Sequence, residues 1–174
     1  MAATNVHGLL GGLVAISDPQ WVKVKEFSFF VGILLASHIR GLMGRINILN
    51  VYAPYHNQDI LCDHLIESEL LDLSSLIIAG DLNCTIDFNE IWGCTRRVNV
   101  MANHIKDIIL EHNLVDICPS SLIPSWDNRR LGKRYIAKQL NCFILHEQII
   151  ERLGMVSYEV ISYHISQHMP TSLR

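Results

Sequence analysis

The sequence predicts a mixed α/β fold, and three observations predict it. The run Leu76-Ile77-Ile78-Ala79 stops at Gly80, and Asp81-Leu82-Asn83 follow; a short apolar run bounded by glycine marks a buried strand. Strand-like segments crowd the first third of the chain. Met101, Ile105, Ile108 and Ile109 recur at i, i+4, i+7 and i+8, the spacing of an amphipathic helix. A chain of 174 residues suits one domain, and one of this size buries roughly 70% of its unfolded surface. Hydrophobic residues make up 49% and charged residues 18%, which excludes a disordered chain. The formal net charge of −3 excludes a basic footprint spread over the whole molecule but allows a local one.

Taken in order, Leu9 to Ser17 is expected to be a strand, with Leu13-Val14-Ala15-Ile16 following Gly11-Gly12. No Lys or Arg precedes this stretch, so it does not resemble a signal peptide. Trp21 to Phe27 alternates, with Val22 and Val24 against Lys23 and Lys25. Phe29 to Ser37 and Arg45 to Tyr52 are expected to follow as strands of an antiparallel meander, with Gly41 and Gly44 in the turn. The apolar run near Phe29 to Ala36 is far shorter than the roughly 20 residues of a membrane span, so no membrane partner is expected. A helix is expected from about Asp59 to Leu71. The second helix follows the buried strand, with Asn113 suited to a left-handed end. Ile136 to Leu145 is strand-like, His146 to Leu153 suits a short helix, and Met155 to Tyr163 suits a last strand that His164 to Arg174 leaves. The cysteines at 62, 84, 94, 118 and 142 are odd in number and lack CxxC spacing. Neither a disulfide framework nor a zinc site is indicated, and an intracellular, reducing compartment is the expectation.

The candidate site residues cluster at strand ends. Asp81 and Asn83 lie two apart where a strand stops, so an extended backbone would point them the same way. Open α/β sheets keep their ligands at such carboxyl ends. The alternative is an Asx-type turn leaving the strand. Tyr52 ends its own strand before Ala53-Pro54, since proline cannot donate to a ladder; a structural wedge is the alternative role. Arg129, Arg130, Lys133 and Arg134 sit beside Trp126 and suit phosphate contacts; a solvated loop is the alternative. His104 and His112 are two turns apart and are expected at the surface. His164 and His168 have i, i+4 spacing but follow a strand, so a zinc pair is not expected there.

Five stretches, in order, resemble one family. They are Asn50-Val51-Tyr52-Ala53-Pro54, Gly80-Asp81-Leu82-Asn83, Ser125-Trp126-Asp127-Asn128-Arg129-Arg130, Gln139-Leu140-Asn141-Cys142-Phe143 and Ser166-Gln167-His168-Met169-Pro170. Order and rough spacing resemble the endonuclease/exonuclease/phosphatase superfamily, closest in flavour to the endonuclease domain of plant non-LTR (LINE-type) retrotransposons. The resemblance runs from about Gly11 to the C-terminus. It implies a two-sheet, four-layer α/β sandwich of DNase I-like type and Mg²⁺-dependent cleavage of phosphodiesters, with DNA as partner and no small-molecule cofactor. It also implies site roles: Asp81 as proton acceptor, Asn83 as orienting amide, Tyr52 as transition-state donor and His168 as phosphate contact. Trp126, Asn128, Arg129 and Arg130 would border the substrate.

The departures from the family pattern matter as much. The family aspartate that orients the histidine is Asn141 here, and an amide cannot stabilise an imidazolium as a carboxylate does. A metal-side aspartate is Gln167, which brings no charge to a hard cation. The family's N-terminal segment, with its metal-binding glutamate, has no counterpart in residues 1–174. The expectation is therefore a single, N-terminally truncated domain over residues 1–174 with a degenerate site, no assigned metal ligands and doubtful Mg²⁺ binding. It would be an endonuclease of impaired or no activity; the alternative is a non-catalytic remnant that binds nucleic acid or protein. Missing strands would leave exposed sheet edges, which leads to the expectation of self-association.

Overall fold

The computed structural model describes residues 2–5, 12–94, 96–161 and 166–174, with side chains from residue 13 on. The chain opens with β1 (Ala2–Asn5) and β2 (Gly12–Ala15), then β3 (Val22–Phe29), β4 (Gly32–Ile39) and β5 (Ile46–Tyr52). Helix α1 (Gln58–Glu67) leads to β6 (Leu76–Asp81) and the short β7 (Ile91–Gly93). Helix α2 (Ala102–Glu111) is followed by β8 (Leu114–Asp116), β9 (Trp126–Asp127), β10 (Ile136–Lys138) and β11 (Asn141–His146). Helix α3 (Glu147–Leu153), β12 (Tyr158–Val160) and β13 (Thr171–Leu173) complete the described order.

The largest sheet has the order β3-β4-β5-β6-β11-β8. Its strands pair antiparallel except β5 with β6, which run parallel through α1. A second sheet has the order β7-β10-β9, and two antiparallel pairs, β1-β2 and β12-β13, form two-stranded sheets of their own. The β6 run is apolar at successive positions because both faces of the sheet are covered. On one face Leu49, Val51, Leu76, Ile78 and Ile144 pack with Leu61 and Leu65 of α1 and Ile105 and Ile108 of α2. On the other, Ile46, Ile77 and Leu145 pack with Ile149 of α3, and Phe143 and Leu173 close around them. The result is the mixed α/β architecture that the sequence predicts, built of several sheets with helices outside.

Several segments differ from the sequence expectation, each for a local reason. The first helix ends at Glu67 rather than Leu71, because Glu69 takes a left-handed conformation (φ 57) and starts a separate 3-10 turn at Leu70–Asp72. The strand expected over Phe29 to Ser37 shifts to Gly32–Ile39, since Phe29 still pairs with Gly32 across a tight turn. The run Ile136 to Leu145 is two strands in two different sheets. The chain crosses between them at Gln139-Leu140, where the buried Ser125 Oγ accepts hydrogen bonds from Leu140 N (2.8 Å) and Asn141 N (3.0 Å). The last strand is shorter than expected, Tyr158–Val160, and the segment after it returns as β13 to pair with it. The second helix matches, and Asn113 is left-handed beyond its end (φ 52). The expectations for Leu9, Leu10, Gly11, Tyr163 and His164 lie outside the described residues.

Strand β3 forms one end of the large sheet, and no described strand covers its outer side. Lys23, Lys25 and Glu26 are exposed along it, and charges on an open edge oppose pairing with another chain. Among the described residues, no helix is long and apolar enough to cross a membrane.

Candidate active site

The site starts with Gly80. Its φ is +135, and a Cβ there would lie 2.0 Å from Val51 O, so only glycine lets β5 and β6 approach this closely one residue before Asp81. Parallel pairing then places Tyr52 beside Asp81, and antiparallel pairing places Asn141 on its other side. Three polar residues thus stand in one row across β5, β6 and β11. Side chains of paired residues share a face, so the row looks toward the side that holds Phe143, Leu145 and α3.

Strand alternation ends at Asp81. Asn83 is left-handed (φ 49), its N–H donates to Asp81 Oδ1 (2.8 Å), and its Nδ2 donates to Ala53 O (2.6 Å). This is the Asx-type turn that the sequence left open. Asn83 therefore does not project beside Asp81 by alternation; it locks the carboxylate and ties the β6 end to the β5 end. The loop is fixed from behind by the buried Gln58, whose Nε2 donates to Leu82 O (3.2 Å) and Asn83 O (2.7 Å) and whose Oε1 accepts from Asn99 Nδ2 (2.8 Å).

His168 arrives from a distant part of the chain. The segment Gln167–Met169 runs alongside Ser125–Asp127: Trp126 bridges to His168, Asp127 N donates to Gln167 O (3.1 Å) and Met169 N donates to Ser125 O (2.7 Å). That docking puts His168 Nδ1 3.4 Å from Asp81 Oδ2, with the imidazole partly exposed and the carboxyl buried. Burial pushes the Asp81 carboxyl above the usual aspartate range, while the Asn83 N–H and His168 oppose the rise. Asp81 is thus more basic than a surface aspartate and sits within ion-pair distance of an imidazole. Asn141 has a buried Oδ1 with no donor among the described residues, and Asp81 Oδ2 accepts no hydrogen bond there either. Nearby, Tyr158 OH donates to Asn141 O (2.9 Å) and accepts from Gln139 Nε2, which fixes the start of β11.

The residues expected to border substrate divide. Asn128 is a loop anchor: its Oδ1 accepts from Arg130 N (3.1 Å) and Ile136 N (3.2 Å), and its Nδ2 donates to Arg134 O (2.8 Å). Trp126 is half-buried beside His168. Arg129 is left-handed (φ 52), its N–H donates to Asp127 Oδ1 (2.7 Å), and its Nη2 donates to Ser166 O. Arg130 is exposed. Sequence reasoning missed Ser125 and Gln58, whose roles depend on long-range backbone partners that no local pattern shows.

The chemistry of the donor set decides whether a divalent cation fits. A hard cation takes six or more oxygens and favours carboxylates. Asp81 supplies the one carboxylate of the row, and its Oδ1 is committed to Asn83 N. Asn141 and Gln167 are neutral, and Gln167 is exposed. Among the described residues, no group of three or more His, Cys, Asp or Glu side chains could hold a metal ion. The residues present do not fit a strong Mg²⁺ site. The cysteines are all unpaired, and burial pushes the Cys62 and Cys84 thiols up to about 11 and about 12, so neither is a nucleophile near neutral pH.

No family model and no curated protein matches the sequence. Solved structures do match in fold. The endonuclease domain of TRAS1, a telomere-specific non-LTR retrotransposon, superposes with a TM-score of 0.68 at 12% identity, over 87% of this chain and 66% of that domain. A conserved protein of unknown function from Enterococcus faecalis V583 matches with a TM-score of 0.54 at 11% identity, over 90% of this chain and 68% of the other. A mannosyl-6-phosphatase from Bacteroides thetaiotaomicron VPI-5482 matches with a TM-score of 0.54 at 9% identity, over 90% and 67%. The chain spans slightly less than two thirds of the TRAS1 domain. What it shares with these proteins is the fold, which a nuclease domain and a phosphatase both use.

Proposed function

We propose that this chain is a phosphodiester-directed domain of the non-LTR retrotransposon endonuclease type whose hydrolytic site is impaired. The observation that carries the reading is the buried Asp81 carboxyl within 3.4 Å of His168 Nδ1, in a row with Tyr52 and Asn141 at the strand ends. In this reading Asp81, made more basic by burial, accepts a proton from an attacking water. His168 contacts a phosphoryl oxygen, the Tyr52 hydroxyl donates to the charge that develops there, and Asn83 holds the carboxylate in place. The neutral Asn141 and Gln167 favour slow or absent cleavage, since groups that act as a unit are not additive when some are missing. Those same neutral positions favour a second reading, a non-catalytic domain that retains nucleic-acid binding.

The test is nicking of supercoiled plasmid DNA with Mg²⁺ or Mn²⁺, using Asp81→Ala as control. Slow nicking that Asp81→Ala abolishes supports the impaired nuclease. No nicking, with DNA still bound, supports the second reading. Rapid Asp81-dependent cutting at micromolar Mg²⁺ would overturn the claim that the site is impaired.

A further inference from the structure

We infer that the outer edge of β3 is a docking site for an extended peptide segment that alternates acidic and apolar residues and joins the large sheet as its next strand. The β3 edge is separated from β5 and the strand-end row by β4, so this site stands whether or not the chain cleaves phosphodiesters.

The backbone of β3 is open on one side. In an antiparallel pair, alternate residues turn their N–H and C=O groups to the neighbour and the others turn them away. Trp21 O accepts from Arg40 N, just past the end of β4 (2.8 Å), whereas Val22 N turns away and donates to Asp18 O (2.9 Å). Val24, Glu26 and Ser28 continue the outward set, and among the described residues no strand pairs with them there. Every residue from Lys23 to Ser28 is exposed, so both faces of the strand are uncovered along with its edge.

Pleating gives this edge two different faces. Lys23 and Lys25 share one face. Lys25 lies over the Phe27 ring (5.0 Å to the centroid), and Arg40 lies over Trp21 on the same face (5.6 Å). Among the described residues, no carboxylate lies within ion-pair distance of Lys23, Lys25 or Arg40. Val22 and Val24 belong to the other face, where they line a groove of about 350 Å³ with Ile16, Pro19 and Leu35. Ile16 is 81% exposed and Val24 37%, so the groove is apolar surface without a cover.

An added strand satisfies the backbone edge by hydrogen bonds and is selected by its alternate side chains. A second copy of β3 is a poor occupant. A two-fold pairing that continues the sheet keeps each face on its own side, so only residues of equal parity can stand opposite each other. Centred on Val24, that pairing sets Lys23 against Lys25; centred on Lys25 or on Glu26, it sets that charge against itself. Like charges directly opposite destabilise a strand pair. The same charges select a strand of complementary pattern: acidic residues opposite Lys23 and Lys25, and between them an apolar residue that enters the groove beside Val24.

The experiment is fluorescence anisotropy of the whole chain with two short labelled peptides, one alternating Val with Glu and the other alternating Val with Lys. The Val–Glu peptide should bind saturably and slow hydrogen exchange at the Val24 and Glu26 amides. Lys23→Glu with Lys25→Glu should weaken that peptide about tenfold and transfer the preference to the Val–Lys peptide, a gain that misfolding cannot produce. Val24→Pro removes an outward N–H while leaving both lysines, and it should also weaken the Val–Glu peptide. Equal affinity for the two peptides, or unchanged exchange at Val24 and Glu26, would overturn the inference. So would a dimer in sedimentation that the Val–Glu peptide dissociates, which would give the edge to a second copy. Tighter binding of inorganic polyphosphate than of the peptide, lost in the double lysine variant, would overturn it as well by giving the basic face to a phosphate polyanion.

Discussion

Asn141 stands directly opposite Asp81 across the antiparallel β6–β11 pair, and each side chain buries an oxygen to which no described group donates a hydrogen bond. A buried acceptor without a donor costs about 1–3 kcal/mol. With an amide at 141, the pair carries at most one negative charge, and a proton on Asp81 relieves it.

A second carboxylate changes that balance. Asn141→Asp puts like charges directly opposite each other, which destabilises a strand pair by about 0.2–1 kcal/mol even before burial adds to it. Combined with Gln167→Asp, it also creates three carboxylates near His168. The double variant should melt at a lower temperature than wild type in EDTA. Millimolar Mg²⁺ or Mn²⁺ should raise its Tm, because a ligand that binds the folded state stabilises it by mass action. Wild-type Tm should barely move. Calorimetric titration alongside the melts checks the outcome, and micromolar Mg²⁺ binding by wild type would contradict it.

Gly80→Ala should be far more damaging than its size suggests. The new methyl would meet Val51 O at 2.0 Å, with backbone on both sides and φ at +135. Relief requires β5 and β6 to separate where Tyr52 and Asp81 are paired. The expected result is a large loss of soluble protein, or a Tm drop well beyond that of an ordinary surface Gly→Ala change. Far-UV circular dichroism melts decide it.

The parts legible in sequence were those fixed by local pattern. Strand β6 was legible because two covered faces demand a continuous apolar run. Helix α2 was legible because Ile105 and Ile108 recur on its buried stripe. The placement of Tyr52 and Asp81 at neighbouring strand ends followed from Pro54 and Gly80. The crossing at Gln139-Leu140 was not legible, since strand propensity does not say that a chain changes sheets, and the Ser125 Oγ that fixes it is 15 and 16 residues away from the amides it accepts from. Strand β13 was hidden for the same reason, being defined by its partner Tyr158–Val160. At Asp81 the strand-end and Asx-turn readings were both true, because the strand stops at the residue whose side chain begins the turn.

Ser125→Ala tests that crossing. Ser125 is fully buried, and its Oγ is the acceptor for Leu140 N and Asn141 N. Its backbone bonds to Lys138 O and from Met169 N would survive the change. The loss should therefore be local, at about 1–3 kcal/mol for the orphaned donors. Hydrogen exchange should accelerate at the Leu140 and Asn141 amides more than elsewhere in β11. Uniform acceleration across the sheet would mean that Ser125 supports the whole fold rather than this junction.

Asp116, on β8 at the edge of the large sheet, gives a pH-dependent prediction. Burial, then the charges of Glu90 and Asp87, push its carboxyl from 3.8 up to about 7. The folded state therefore holds this proton more tightly than the unfolded state does. The stabilising contribution is full below pH 4 and is lost as pH rises toward 7, because the unfolded carboxyl ionises first. Above about pH 7 both states are ionised and the penalty is constant. Asp116→Asn removes the ionisation and keeps the shape. It should be nearly neutral near pH 4, gain stability progressively between pH 4 and 7, and level off above. One pKa unit corresponds to about 1.4 kcal/mol, which sets a ceiling of about 4 kcal/mol. Relaxation around a residue that keeps some solvent contact reduces this to an expected gain of about 1–2 kcal/mol at pH 8. Urea unfolding of both proteins from pH 4 to 8 measures the difference directly. A gain that is independent of pH, or a loss at pH 8, would show that Asp116 is ionised at no cost and that its surroundings supply a partner.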